Sequence, residues 1–310
     1  MASEPILSTL DLPVGLQPRR SAIFEVISDY WALTKPEINF LILIATFTGF
    51  YLGRSARSRD FPFLQMVDTL FGTLLVASGT GTLNQYIERR FDARMRRTAR
   101  RPLAAGRLKP STVLWFGMAL SITGSIYLAL AVNLLASLLA VFTLLSYLFL
   151  YTPLKRKSPL CTLVGAVPGA MPPLIGWAAA SGTLNFEAWA LYAVLFLWQF
   201  PHFMAIAWIY REDYDRAGYR VLPLNESARI NFVNFQTLAP LAGLVSLSLL
   251  PALLRHNLYL CLGTLLLSVG FFYYGTQFVS RGTNSAARRL LAASIIYLPL
   301  LFVAAILLAG

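Results

Sequence analysis

The sequence predicts an all-α, polytopic membrane protein with nine transmembrane helices, and three observations carry that prediction. Charged residues make up 13% of the chain and mean hydropathy is +0.61, whereas an ordinary soluble domain is about 25% charged. Long windows carry no Asp, Glu, Lys or Arg, and they reach the roughly 18 to 20 residues a spanning helix needs. They are continuously apolar rather than alternating, which excludes a membrane barrel, and lipid offers the backbone no third solution.

The first span is set at about Pro36 to Gly53 and the second at Thr69 to Tyr86. Pro110 to Leu154 is too long for one crossing, so it holds the third and fourth with a tight turn near Asn133. Ser158 to Phe186 is the fifth, and its "VGAVPGAMPPLIGWAA" stretch, rich in proline and glycine, predicts an irregular helix lining a cavity. Ala188 to Tyr210 is the sixth, with Pro201 expected to free backbone carbonyls and kink it. Ile230 to Leu254, Asn257 to Ser280 and Leu290 to Gly310 complete the nine.

Residues 1–30 read as a cytoplasmic N-terminal segment and 31–310 as the membrane-embedded domain. The first 35 residues show no apolar core with a cleavage site, and Glu4, Asp11, Glu25 and Asp29 argue against a mitochondrial presequence. The formal charge of +12 is explained by membrane topology rather than by nucleic acid. Of 26 Lys and Arg, all but Arg54, Arg57, Arg59 and Arg255 fall on one side of an alternating nine-span chain. Cytoplasmic loops collect such residues, so the expectation is N-terminus inside and C-terminus outside. Cys161 and Cys261 lie near or within apolar spans without a CxxC pattern and read as packing residues.

The chemistry is expected on the cytoplasmic face. "NQYIERRFDARMRRTARRPL" places Asn84, Glu88 and Asp92 four residues apart at the end of span two. Each step advances roughly 40° around the helix, so the three oxygen-bearing side chains form one stripe. Hard oxygen ligands, including one or two carboxylates, suit Mg²⁺ held together with a substrate diphosphate. The competing reading pairs Glu88 and Asp92 with Arg89, Arg94 or Arg96 at the rim of a plain membrane helix.

A second acidic loop, "YREDYDRAGYR", brings Glu212, Asp213 and Asp215 after span six, repeating the first cluster's position at the end of an even-numbered span. A third, "YTPLKRKSPL", supplies Lys155, Arg156 and Lys157, cations of the kind a leaving diphosphate requires. Both loops can also be solvated charge. His256 reads as surface, whereas His202 follows Pro201 inside span six and either faces a substrate or is a packed histidine. A transporter would place further ionisable residues at mid-membrane, and the apolar windows contain none apart from His202.

These segments resemble a known family. "NQYIERRFDARMRRTARRPL" is similar to the first aspartate-rich motif of the UbiA superfamily of membrane prenyltransferases. The Arg97, Thr98, Arg101, Pro102, Leu103 pattern and "WQFPHFMAIAWIYREDYDRAGYRVLP" resemble its heme-directed branch rather than its quinone-precursor branch, the alternative acceptor class. The resemblance implies nine helices around a central cavity open to the cytoplasmic side of a bacterial inner (plasma) membrane.

It further implies Mg²⁺-dependent transfer of a farnesyl group from farnesyl diphosphate to a vinyl group of heme B, with water addition giving heme O. Asn84, Glu88, Asp92 and Asp213 would hold the metal and diphosphate, with Lys155 beside them. Arg97, Arg101, Arg156, Tyr151 and His202 would bind substrate. Membrane lipid and heme A synthase are the expected partners. Two departures stand out: Glu88 replaces a frequent aspartate, and Arg90 replaces a further carboxylate.

Overall fold

A computed structural model describes residues 22–54, 61–250 and 258–308. Arg19, Arg20, Arg57, Arg59, Arg255 and His256 lie outside the described residues, as do Glu4 and Asp11. Nine helices among the described residues are long and apolar enough to cross a membrane.

A short helix, α1 (Ala22–Thr34), precedes them. The spans are α2 (Pro36–Gly53), α3 (Phe63–Asp92), α4 (Pro110–Val132), α5 (Leu134–Leu154), α6 (Cys161–Ser181) and α7 (Phe186–Ile209). A short α8 (Arg211–Ala217) leads to α9 (Glu226–Leu247), α10 (Leu258–Arg281) and α11 (Asn284–Leu308).

Local chemistry explains the joints. Asn133 falls in the predicted turn: its Oδ1 accepts from the Ala136 amide at 2.9 Å, capping α5, and its Nδ2 donates to the Ala178 carbonyl at 2.9 Å. Asn185 and Asn225 cap α7 and α9 in the same way, which satisfies amides that a helix start leaves free. The predicted irregularity of span five is a break: α6 consists of Cys161–Gly169 and Pro172–Ser181. α7 runs on through Pro201 as one helix.

The largest difference from the apolar windows is α3, which starts at Phe63 and ends at Asp92 rather than spanning only Thr69 to Tyr86. Its extra turns carry charge that finds partners. Asp68 accepts from the Tyr127 hydroxyl at 2.6 Å, and the polar residues at the far end are buried in the site described below. A window defined by absence of charge ends where a helix with paired charge continues.

Two apolar cores organise the bundle. Phe50, Val76, Leu128, Leu174 and Trp177 join α2 through α6, and Leu241, Phe271, Phe278 and Leu290 join α7 to α9, α10 and α11. α2 meets the second half of α6 at very close range, because Gly49 lies on the Pro173 carbonyl and Gly176 on the Thr46 carbonyl. Small residues let membrane helices approach backbone to backbone where lipid provides no hydrophobic drive. Toward the helix ends away from the polar loops, a cavity of about 140 Å³ is lined by Leu52, Trp177, Val194, Leu244, Tyr297 and Leu301.

A side chain at position 176 has nowhere to go, since the atom it meets is backbone. Gly176→Val should lower stability by roughly 1–3 kcal/mol or more, read as a reduced thermal midpoint of the protein in detergent.

Candidate active site

α3 carries the predicted stripe to its end. Thr82, Asn84, Gln85, Glu88 and Asp92 are all buried, with Asn84 and Asp92 each 1% exposed and Glu88 6%. Burial of this kind is stable only with partners, and each stripe residue has one from a different part of the chain. Lys35 Nζ donates to Asn84 Oδ1 at 2.9 Å, and Asn84 Nδ2 donates to Thr152 Oγ1 at 3.2 Å. Lys155 Nζ pairs with Glu88 Oε1 at 2.9 Å. Arg101 Nη1 pairs with Asp92 Oδ2 at 2.7 Å, and Thr98 Oγ1 donates to the Asp92 carbonyl at 2.9 Å. The partners are therefore not the adjacent Arg89, Arg94 or Arg96.

Three loops assemble over this stripe. The last turn of α3 and the segment after it pack through Phe91 and Met95 on Tyr214, Ala217 and Tyr219 of the segment around α8. The Arg220 amide donates to the Lys155 carbonyl at 2.7 Å, tying that segment to the end of α5. Arg97 lies over the Tyr210 ring at 4.9 Å and its Nη2 donates to the Tyr214 hydroxyl at 3.3 Å. Arg156 lies over Phe91 at 4.8 Å. α5 ends in a widened, π-helical stretch, Ser146–Tyr151, that carries Tyr147 and Tyr151; the Lys155 ammonium lies 4.4 Å from the Tyr151 ring centroid. Such turns recur at functional sites, and ring faces hold cations.

The electrostatics follow from these partners. Burial works against charge on Lys155, yet Glu88 holds its ammonium well above the ordinary lysine range. Lys35 has no carboxylate of its own; burial, reinforced by the nearby Arg101, lowers it to about 7. The Tyr219 phenol is buried, lies beside Glu88 without completing a hydrogen bond to it, and is pushed up by burial and that negative neighbour.

Two predicted residues stand apart from the stripe. Asp213, at the start of α8, pairs with Arg216 Nη1 at 2.9 Å, while Glu212 and Asp215 are exposed. His202 stacks on Trp198 with ring centroids 4.7 Å apart, and its Nδ1 lies 2.8 Å from Ser294 Oγ. The Ser294 hydroxyl also lies 2.6 Å from the Leu291 carbonyl, so two acceptors compete for its one proton.

The site suits a hard cation. Its donors are oxygens, and Asp92 Oδ1 is buried with no hydrogen-bond partner, an acceptor left over after Arg101 has taken Oδ2. Among the described residues no three His, Cys, Asp or Glu converge as a closed metal site. Two carboxylates with open positions fit a divalent ion that takes its remaining ligands from water and phosphate.

Sequence reasoning missed Lys35, Thr152 and Tyr219. Lys35 was counted only as loop charge; its sign of something more is its place immediately before Pro36, at the one-residue joint between α1 and α2.

Comparison with known proteins gives concordant matches. The UbiA prenyltransferase family matches residues 31–306. A protoheme IX farnesyltransferase from Solibacter usitatus is 49% identical over 88% of this chain and 96% of that protein. One from Koribacter versatilis is 40% identical over 96% and 97%. Among solved structures, a digeranylgeranylglyceryl phosphate synthase superposes with TM-score 0.73 at 20% identity, covering 92% of this chain and 99% of that one. A UbiA homologue from Archaeoglobus fulgidus bound to GPP and Mg²⁺ gives 0.63 at 13% identity, covering 89% and 99%. At such identities these two show the fold alone.

The Lys155 and Glu88 side chains are only 14% and 8% exposed, so breaking their pair strands a buried charge. Lys155→Met should cost about 3–5 kcal/mol, and adding Glu88→Gln should recover much of it. A double-mutant cycle on unfolding in detergent measures both.

Proposed function

The chain belongs to the UbiA prenyltransferase family, and from that premise we propose that it farnesylates heme B. The substrates are farnesyl diphosphate and heme B; with addition of water, the products are heme O and diphosphate. The prenyl-transfer reading rests on one observation: a buried stripe of Asn84, Glu88 and Asp92 in which every member is held by a lysine or arginine side chain. The heme acceptor rests on the protoheme IX farnesyltransferases that this chain matches over nearly their full length.

Asn84, Glu88 and Asp92 would hold Mg²⁺, which neutralises charge on the leaving diphosphate, and Asp213 would join them only on leaving Arg216. Arg101 and Lys155 are placed to exchange their carboxylate contacts for phosphate oxygens, and Arg97 and Arg156 stand at the rim to meet them. The allylic carbon–oxygen bond breaks with its electron pair going to diphosphate. The vinyl π pair of heme B then forms the new carbon–carbon bond, and water adds its oxygen to the resulting cation and releases a proton.

Until then the allylic cation must be kept from water. The Tyr151 face, which already lies against one ammonium, can lie against that positive charge as well. His202 would contact the heme acceptor, with Ser294 and Trp198 fixing its ring. The cationic loops lie at one end of the bundle, so by the positive-inside bias the site faces the cytoplasm of a bacterial inner membrane. The N-terminus is inside, the C-terminus outside, and heme O passes on to heme A synthase.

Purified protein with heme B, farnesyl diphosphate and Mg²⁺ should yield heme mass-shifted by one farnesyl group plus water. Asp92→Asn should lower that rate at least ~100-fold; diphosphate release only with an aromatic acid in place of heme would move the acceptor. His202→Ala should change the Soret band of bound heme B while leaving affinity for farnesyl diphosphate within about threefold; an unchanged spectrum removes His202 from the acceptor site.

A further inference from the structure

Lys35 is the one non-glycine residue with positive φ among the described residues, at φ 54° and ψ 61°. It also precedes Pro36, and a residue before proline is normally extended. Left-handed geometry in a residue with a Cβ is strained, and strain of this kind persists only where the surroundings enforce it. Glycine or asparagine would fill this joint at less cost, so its identity calls for a reason in the side chain.

That side chain runs inward. It passes Gly81 on α3, and Nζ ends on Asn84 Oδ1 at 2.9 Å. The neighbouring ion pairs are already complete: Glu88 has Lys155 and Asp92 has Arg101. Lys35 alone among the three stripe cations ends on a neutral amide. A buried lysine that lacks a counter-ion is ordinarily avoided, and here one is delivered to a site by a strained backbone.

We propose that Lys35 is a direct ligand of the substrate's diphosphate, released from Asn84 Oδ1 onto a phosphate oxygen as the anion enters. The inference rests on the prenyl-diphosphate reading of this site. It assigns the left-handed joint between α1 and α2 a purpose: that turn brings the Lys35 side chain past Gly81 to the α3 stripe. The transfer also frees Asn84 Oδ1, making it available at the moment the anion arrives.

Three variants separate this role from a structural one. Lys35→Gly removes both the ammonium and the strain, Lys35→Met keeps the stem without charge, and Lys35→Arg keeps the charge. Binding of inorganic diphosphate with Mg²⁺ is measured by calorimetry in detergent, alongside KM and kcat for farnesyl diphosphate. Both neutral variants should bind diphosphate at least tenfold more weakly, with KM rising more than kcat falls, and Lys35→Arg should stay within about threefold of wild type. Lys35→Gly should unfold at or above the wild-type temperature. Wild-type affinity in either neutral variant overturns the role of Lys35 while leaving the site intact. Absence of diphosphate binding by the wild type overturns the prenyl-diphosphate reading itself, and this inference with it.

Discussion

Everything at the polar end of this molecule depends on pairing the α3 oxygen stripe with cations from elsewhere. A carboxylate buried at the edge of a bilayer has little water to fall back on, so an unpaired one costs several kcal/mol. Glu88 and Asp92 escape that cost through Lys155, 67 residues away, and Arg101, nine residues away. Asn84 is met by Lys35, 49 residues before it. The start of α2, the loop after α3 and the end of α5 must therefore arrive at one place. The aromatic contacts of Phe91, Tyr214 and Tyr219 close the cap above them.

The two ends of the bundle are built by different rules. Away from the cap, α2 and α6 touch backbone to backbone across Gly49 and Gly176, and apolar packing is joined by single hydrogen bonds such as Asn133 to the Ala178 carbonyl. At the cap, long side chains reach across wide gaps: lysine and arginine stems carry charge to partners that the backbones could not approach. A rigid lower bundle with side-chain-bridged loops above it lets a substrate displace the bridges without repacking the helices. The break in α6 between Gly169 and Pro172 belongs to the same economy, because irregular backbone at membrane depth is tolerated where protein encloses it.

How much of this could be read in the sequence depends on range. The spans were legible because lipid enforces charge-free windows, and the turn at Asn133 because one window was too long for a single crossing. The stripe at 84, 88 and 92 was legible because helical spacing is local and periodic. Its partners were not. Nothing in the spacing of Lys155 or Lys35 says that their ammoniums reach α3, since that is fixed by the crossing of helices and by a left-handed joint invisible to periodicity. The extent of α3 was misjudged for a related reason: Asp68 ended the apolar window, but its bond to Tyr127 lets the helix begin earlier. Asp213 shows the converse, because its partner Arg216 is one turn away on the same short helix.

The charge balance of the assembled site explains why so many cations are tolerated there. Glu88 and Asp92 neutralise Lys155 and Arg101, while Lys35, Arg97 and Arg156 rest on an amide or on aromatic faces. Aromatic faces stabilise a cation without competing for it as a carboxylate does, so these groups stay in place and remain available to an anion. A site matched charge for charge would gain little from a diphosphate, since each new contact would replace one equally good. On the proposed reading, the basic side chains that no carboxylate matches are those that a multiply charged anion would meet. As the anion departs from its carbon, charge growing on the leaving oxygens strengthens each contact, so the site favours the broken bond over the intact one.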